Sequence, residues 1–115
     1  MSEIELVAED AKLVTMARQA RARIGALEGA AVRDGDGRTY TGVTIAQPSF
    51  GIGALQLAVA AAVAAGATTL EAAAVVTEAS ALDASGHSAV RDIAPSAPVH
   101  LATPAGRPFA TITAE

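Results

Sequence analysis

The sequence predicts an α/β protein, a three-layer α-β-α sandwich around a mixed five-stranded sheet. Three observations lead to this fold class: an amphipathic opening segment, a hairpin signal after it, and two further helical segments that each lie between strands. A hairpin pairs its strands antiparallel, whereas a helical crossover joins parallel strands, so the sheet is mixed. The predicted order is αββαβαββ, in a single domain over residues 1–115, because a chain of 115 residues is too small for two cores.

The first three elements are predicted from spacing and turn residues. Apolar side chains recur at near-helical spacing over residues 8–24, and Gly25 stands where a helix stop is expected. Strands are predicted over 26–32 and 39–45, because the Asp-Gly-Asp-Gly segment at 34–37 tolerates the positive φ of a tight turn.

The remaining elements follow a loop at 47–51, where Pro48 and Gly51 break the pattern. The second helix is predicted over 53–65. It is apolar on nearly every face, which is typical of a helix covered on several sides, at the centre of a domain or of an assembly. The further predictions are a doubly buried strand over 70–77, a short helix that ends near residue 94, and strands over 99–102 and 108–113.

Composition limits the possible partners and cofactors. The chain has no cysteine, which excludes disulfides, thiolate catalysis and thiolate metal sites. Aromatic residues are only 3% of a chain that is 51% hydrophobic, so alanine and aliphatic side chains must fill the core. Such a core gains little per residue, and we expect a homo-oligomer, a dimer or a tetramer.

Charge and hydropathy argue against two other classes of partner. The formal net charge of −4 does not favour nucleic acid. The longest apolar stretch, residues 54–65, is well short of the roughly 20 residues of a membrane helix, so no membrane partner is expected. Residues 2–10 are acidic and interrupted, unlike a secretory signal, and this predicts a cytoplasmic protein.

Two local phrases and the order of the elements carry a family resemblance across almost the whole chain. The phrase DGRTYTGV at 36–43 is similar to the second half of a hairpin in the small, homotetrameric cytidine deaminases. The phrase QPSFGI at 47–52 is similar to the loop that leads into the zinc-binding helix of that family. The resemblance implies a cytidine deaminase-like fold.

The same resemblance implies a first zinc segment of the form Cys/His-x-Glu at the start of the second helix. Laid on this chain without gaps, the ligand position falls on Leu55 and the glutamate position on Leu57. A shift by one residue brings Gln56 to the glutamate position, but a carboxamide has no proton to transfer near neutral pH, and the ligand position becomes Ala54.

The second zinc segment of the family, Pro-Cys-x-x-Cys, falls on residues 84–88, where Ser85 and Ser88 replace both cysteines. A neutral hydroxyl is a poor zinc ligand beside a thiolate. The family's ribose-binding Asn-x-Glu falls on residues 44–46, and its pocket phenylalanine on Ala26. We therefore predict that zinc is absent, that there is no catalytic residue, and that cytidine is not deaminated.

A residual pocket is expected at the amino end of the second helix, where free N–H groups could bind a small anion or a nucleoside. If Leu55 and Leu57 fill the former metal site instead, a dry and closed cavity results. The candidate pocket residues are Thr44, Ala46, Ser49, Phe50, Gly53, Leu55, Gln56, Leu57, Ser85, His87 and Ser88.

The sequence gives little support for a functional role of either histidine. His87 could form a weak metal site with Asp83, or a hydrolytic pair with a neighbouring serine, but a turn histidine without a function is the favoured interpretation. His100 lies in a predicted strand and is expected to face solvent.

The sequence thus predicts a catalytically silent cytidine deaminase-like protein, a homo-oligomer that acts as a structural or regulatory partner of other proteins. One alternative is a cytidine deaminase with an atypical zinc site. The other is a nucleotide- or RNA-binding accessory module that uses Arg18, Arg21 and Arg23 of the first helix.

Overall fold

The computed structural model describes residues 4–113. Within this range the helices are α1 (Ala8–Ile24), α2 (Ala54–Ala64) and α3 (Ala84–Ile93). The strands are β1 (Gly29–Asp34), β2 (Thr39–Val43), β3 (Ile45–Gln47), β4 (Phe50–Ile52), β5 (Leu70–Val76), β6 (Val99–Ala102) and β7 (Pro108–Ile112).

The main sheet has five strands in the order β2-β1-β5-β6-β7. β1 runs antiparallel to both β2 and β5, β5 and β6 are parallel, and β7 returns antiparallel to β6. The crossover from β5 to β6 contains α3, as a parallel connection requires. The prediction of a mixed five-stranded sheet in an α/β fold is confirmed.

The sheet separates two apolar cores, and alternation along β5 shows the division. Ala73 and Val75 belong to the core that α2 and α3 cover, whereas Ala74 and Val76 belong to the core beneath α1. This is the period of two that a strand buried on both faces must have. Within the described range, no helix is long and apolar enough to cross a bilayer.

The predicted loop at 47–51 is instead part of a second hairpin, formed by β3 and β4 with Pro48 and Ser49 in its turn. β2 ends at Val43, and the backbone ladder to β1 stops at the next pair. The Thr44 N–H still donates to the Glu28 carbonyl, but the Glu28 N–H donates to the Thr44 hydroxyl. Pro48 fits the turn, where no ladder donor is needed.

The first strand also begins later than predicted, at Gly29 rather than at residue 26. Gly25 has a left-handed backbone, with φ of 64°, and its N–H donates to the Ala22 carbonyl. The N–H of Ala26 then donates to Arg21, so residues 25 and 26 still complete the end of α1.

The turn between β1 and β2 is built around a buried carboxylate. Asp34 is 1% exposed, and its Oδ1 accepts the backbone N–H groups of Asp36 and Arg38, each at 2.9 Å. Its Oδ2 accepts the Tyr40 hydroxyl at 2.8 Å and the Arg38 Nε at 3.0 Å. Burial raises the pKa of Asp34, but these donors and the Arg38 charge outweigh it and hold the pKa below its ordinary 3.8.

Replacement of Asp34 by asparagine tests this cluster. Because the folded-state pKa lies below the unfolded-state value, the carboxylate stabilises the fold fully above pH 3.8, and this contribution disappears as pH falls through the folded-state pKa. We expect Asp34→Asn to lower the urea midpoint at pH 7, with a difference from the wild type that narrows below pH 3.8. The control is Asp36→Asn, at a side chain 81% exposed, which should shift the midpoint at pH 7 much less. A difference that is independent of pH would contradict the assignment.

Candidate functional site

The amino ends of α2 and α3 meet at a contact that requires a glycine. A Cβ built on Gly86, in the first turn of α3, would lie 3.0 Å from the Cβ and 3.2 Å from the Cδ2 of Leu55 in α2. Leu55 is 3% exposed. The two helix starts are therefore joined by leucine packed against glycine backbone.

Each helix start satisfies a backbone N–H with its own side chain. The Asp83 Oδ2 accepts the Gly86 N–H at 2.9 Å, at the beginning of α3. The Gln56 Oε1 accepts the Gly53 N–H at 3.2 Å, at the beginning of α2. These bonds are the usual way in which a helix amino end pairs its free donors.

A cavity of about 250 Å³ lies beside this junction. Its apolar wall consists of Leu27, Ala54, Leu55, Val75 and Leu82. Its polar part consists of Glu28, Thr44, Gln56, Asp83 and Ser85, with Gly53 between them. Carboxylates and neutral groups, with no basic side chain, thus make up the polar lining.

Five of the eleven predicted pocket residues line this cavity: Thr44, Gly53, Leu55, Gln56 and Ser85. Ser88 lies next to it, in a surface depression that it shares with Gln56 and Ser85. The structure therefore brings together residues from β2's end, from α2 and from α3.

The other five predicted residues lie elsewhere. Ala46, Ser49 and Phe50 are exposed on the β3–β4 hairpin, and Phe50 is 57% exposed. Leu57 points to β2, where its Cβ is 3.0 Å from the position of a Cβ on Gly42. His87 is half-buried, and its Nε2 has no hydrogen-bond partner within residues 4–113. Because Leu57 packs on β2, the two leucines do not fill the cavity.

Two carboxylates of the cavity, those of Glu28 and Asp83, are not among the predicted pocket residues. The Glu28 Oε2 accepts the Thr77 hydroxyl at 2.5 Å, which orients the side chain. Glu28 falls within the strand predicted over 26–32, whereas β1 begins at Gly29. Alternation along the predicted strand therefore did not indicate that Glu28 lines a cavity. Asp83 carried a usable signal, since an aspartate directly before a helical stretch is a typical N-cap.

The expectation that His100 faces solvent is wrong. His100 is 5% exposed, because β6 lies between β5 and β7 in the sheet and α1 covers this face. Asp10 of α1 lies 2.8 Å from its Nε2 and Thr111 of β7 lies 2.9 Å from its Nδ1, so both ring nitrogens are paired.

The side chains at the junction do not fit a zinc ion. Zinc in proteins prefers thiolate, imidazole and carboxylate donors, usually three or four of them. Leu55 offers no donor atom, and Ser85 and Ser88 offer neutral hydroxyls. The two carboxylates of the cavity are each already engaged, Glu28 with the Thr77 hydroxyl and Asp83 with the Gly86 N–H. Across residues 4–113, no three histidine, aspartate or glutamate side chains form a group that could hold a metal ion.

The family is decided by sequence comparison. A profile of the family described as Cytidine deaminase-like matches residues 6–106. The chain belongs to the cytidine deaminase-like family. Among curated proteins, none matches it.

Solved structures of cytidine deaminases share the fold. The enzyme from Burkholderia pseudomallei superposes with a TM-score of 0.76 at 23% identity, over 89% of this chain and 90% of that one. The enzyme from Mycobacterium leprae gives 0.69 at 22% identity, over 94% of each chain. The enzyme from Mycobacterium tuberculosis gives 0.66 at 25% identity, over 84% of this chain and 85% of that one.

The contact between Leu55 and Gly86 can be tested by a double-mutant cycle. Glycine to alanine inside a helix gains about 1 kcal/mol from propensity, but at residue 86 the new methyl group meets Leu55. We expect Gly86→Ala to be more favourable by about 1 kcal/mol in a Leu55→Ala background than in the wild type, measured by urea unfolding.

The control cycle pairs Leu55→Ala with Gly51→Ala, where a new Cβ would have ordinary contact with the Ile45 carbonyl at 3.5 Å. Those two substitutions should be additive within about 0.5 kcal/mol. Leu55→Ala keeps the Cβ but removes the Cγ and Cδ2 that lie 3.4 and 3.2 Å from the new methyl group. Additivity of the first pair would mean that these two atoms do not restrict the side chain at residue 86.

Proposed function

We propose that this chain is a catalytically silent member of the cytidine deaminase-like family, which acts as a homo-oligomeric structural or regulatory partner of other proteins. The observation that carries the proposal is the apolar junction between α2 and α3. Leu55 packs against Gly86 at the position that the family resemblance assigns to a metal ligand.

The chemistry of the junction between α2 and α3 supports the proposed lack of catalytic activity. Zinc-dependent hydrolysis needs a metal with an open position for water, and a group that moves a proton. Leu55 cannot ligate a metal. The Gln56 Oε1 already accepts the Gly53 N–H, and a carboxamide does not exchange a proton near neutral pH. The neutral hydroxyls of Ser85 and Ser88 replace the thiolates of the resemblance.

The competing function is deamination of cytidine with an atypical zinc site. The solved structures that share the fold are those of cytidine deaminases, and the cavity of about 250 Å³ beside Leu55 leaves space for a small molecule. Metal content and turnover therefore separate the two functions.

We expect untagged, freshly purified protein to carry below about 0.1 zinc per chain by inductively coupled plasma mass spectrometry, and to show no turnover of cytidine, because the donor set lacks thiolate. The matched control is the triple variant Leu55→Cys, Ser85→Cys, Ser88→Cys, which should take up close to one zinc per chain. Stoichiometric zinc with deamination in the wild type would overturn the proposal.

The oligomer is supported by the exposed side of α2. Gln56 is the one polar residue among the eleven of this helix. Val63 is 49% exposed, and Ala60 and Ala64 beside it are exposed. Ala60 and Val63, together with Ile52 and Ile93, line a mostly apolar groove that also contains Gln56 and Asp92. A second copy that covers the groove would gain roughly 25 cal/mol per Å² of apolar surface buried.

We expect the wild type to elute as a dimer or a tetramer in size-exclusion chromatography with light scattering, because a lone chain leaves this side of α2 in water. Val63→Lys should raise the dissociation constant at least about tenfold, since it buries a charge in the contact. The control is Ile24→Lys on α1, at a side chain 62% exposed, which should leave the mass unchanged. A wild-type mass of 11.4 kDa at micromolar concentration would contradict this prediction.

A nucleic-acid role for α1 has less support. Arg21 donates to the Leu27 carbonyl at 3.2 Å and pairs with Glu78 at 3.7 Å, and Lys12 pairs with Glu9 at 3.7 Å. The helix therefore presents mixed charges on a chain of net charge −4, rather than the basic stripe that phosphate binding uses.

A further inference from the structure

Four side chains linked in series by hydrogen bonds lie between α1 and the sheet, on the face opposite the cavity. Arg33 Nη2 donates to Asp10 Oδ1 at 2.8 Å. Asp10 Oδ2 lies 2.8 Å from His100 Nε2, and His100 Nδ1 lies 2.9 Å from Thr111 Oγ1. The order in space is Arg33, Asp10, His100, Thr111.

The four hydrogen-bonded side chains are buried at the centre of the series, and Thr111 at one end is at the surface. Asp10 is 8% exposed and His100 is 5% exposed, whereas Thr111 is exposed. Thr111 belongs to β7, the edge strand of the sheet, so no further strand covers its outer side. Thr111 therefore lies at the surface, whereas the imidazole of His100 behind it is buried.

The partners fix which ring nitrogen carries the proton. An ionised carboxylate only accepts, so His100 Nε2 must donate to Asp10. In the neutral ring Nδ1 is then the acceptor, and Thr111 donates its hydroxyl proton to it. This is the orientation that a base needs in order to take a proton from a nucleophile.

Asp10 is held in its ionised form. Burial raises its pKa, but hydrogen bonds from Arg33 and His100, together with the charge of Arg33, outweigh burial and keep the pKa below 3.8. Arg33 is itself fixed, since its Nε donates to Glu71 at 2.6 Å and its Nη1 donates to the Glu9 carbonyl at 3.1 Å. Asp10 and Arg33 are positioning residues for His100.

We propose that Thr111 is a nucleophilic hydroxyl that accepts an acyl group from activated carboxylic esters, with His100 as its general base. A hydroxyl becomes reactive when a base lies within hydrogen-bond reach and a third group orients that base, and Thr111, His100 and Asp10 meet this criterion. The inference does not depend on the proposed function, because none of these residues lines the cavity.

The step balances as follows. Thr111 Oγ1 attacks the carbonyl carbon of the ester, a new O–C bond forms, and the hydroxyl proton passes to His100 Nδ1. The bond between the carbonyl carbon and the leaving oxygen then breaks, and the leaving group departs as an alkoxide or phenoxide. The proton on Nδ1 passes through water to that oxygen. The products are an acyl ester of Thr111 and the free alcohol.

The test uses the intact protein and p-nitrophenyl acetate, with the acetylated residue located by tandem mass spectrometry. The internal control is Thr41, an exposed threonine on β2, the opposite edge strand. We expect Thr111 to be acetylated at least about tenfold faster than Thr41, as a hydroxide-labile ester. Equal rates at Thr111 and Thr41 in the wild type would overturn the proposal, and this comparison needs no variant to fold.

Variants then assign the roles. Thr111→Val should abolish the adduct, Thr111→Ser should retain it, and Thr41→Val should leave it unchanged. His100→Gln should slow acetylation of Thr111 by on the order of 100-fold, the lower range for a general base. A His100→Gln protein that is folded by circular dichroism and is acetylated at the wild-type rate would also overturn the proposal.

Discussion

The central constraint on this structure is how closely α2 approaches its neighbours. A Cβ on Gly42 of β2 would lie within 3 Å of the Ala58 nitrogen, and a Cβ on Gly86 of α3 would lie 3.0 Å from Leu55. Backbone at glycine therefore meets α2 on two sides. The position of the helix amino end, and with it the cavity, follows from these two contacts.

The junction gains its stability from packing. A buried leucine contributes roughly 1.5–3 kcal/mol by removal of its side chain from water. One backbone N–H at each helix start is paired by a side chain of that start, the N–H of Gly53 by Gln56 and the N–H of Gly86 by Asp83. Apolar packing and these two hydrogen bonds therefore hold the helix starts at the place where the resemblance implied a metal, and this supports the proposal that the scaffold is kept without the reaction.

The sequence alone predicted the limits of an element correctly where a single local signal sets those limits. The limits of α1 and of β6 agree with prediction, because Gly25 ends the helix and a short apolar run between turns marks the strand. The β3–β4 hairpin was missed because Pro48 breaks a pattern and also fits a two-residue turn. The cavity residue Glu28 depends on a hydrogen bond to Thr77, a contact between residues 49 positions apart that no local pattern contains.

The error at His100 has a different physical origin. A histidine in a strand next to apolar neighbours has the alternation of an outward-facing residue, and only the partner across the layer shows that it is buried. That partner is Asp10, which lies 90 positions away and in the first turn of α1, where the helix dipole favours a negative charge. Elsewhere α1 meets the sheet through the apolar side chains of Leu13, Val14 and Ala17, whose packing has no directional bonds. A buried carboxylate with two directional partners supplies what apolar packing lacks, since loss of either partner would leave a charge or a polar group unpaired inside the protein.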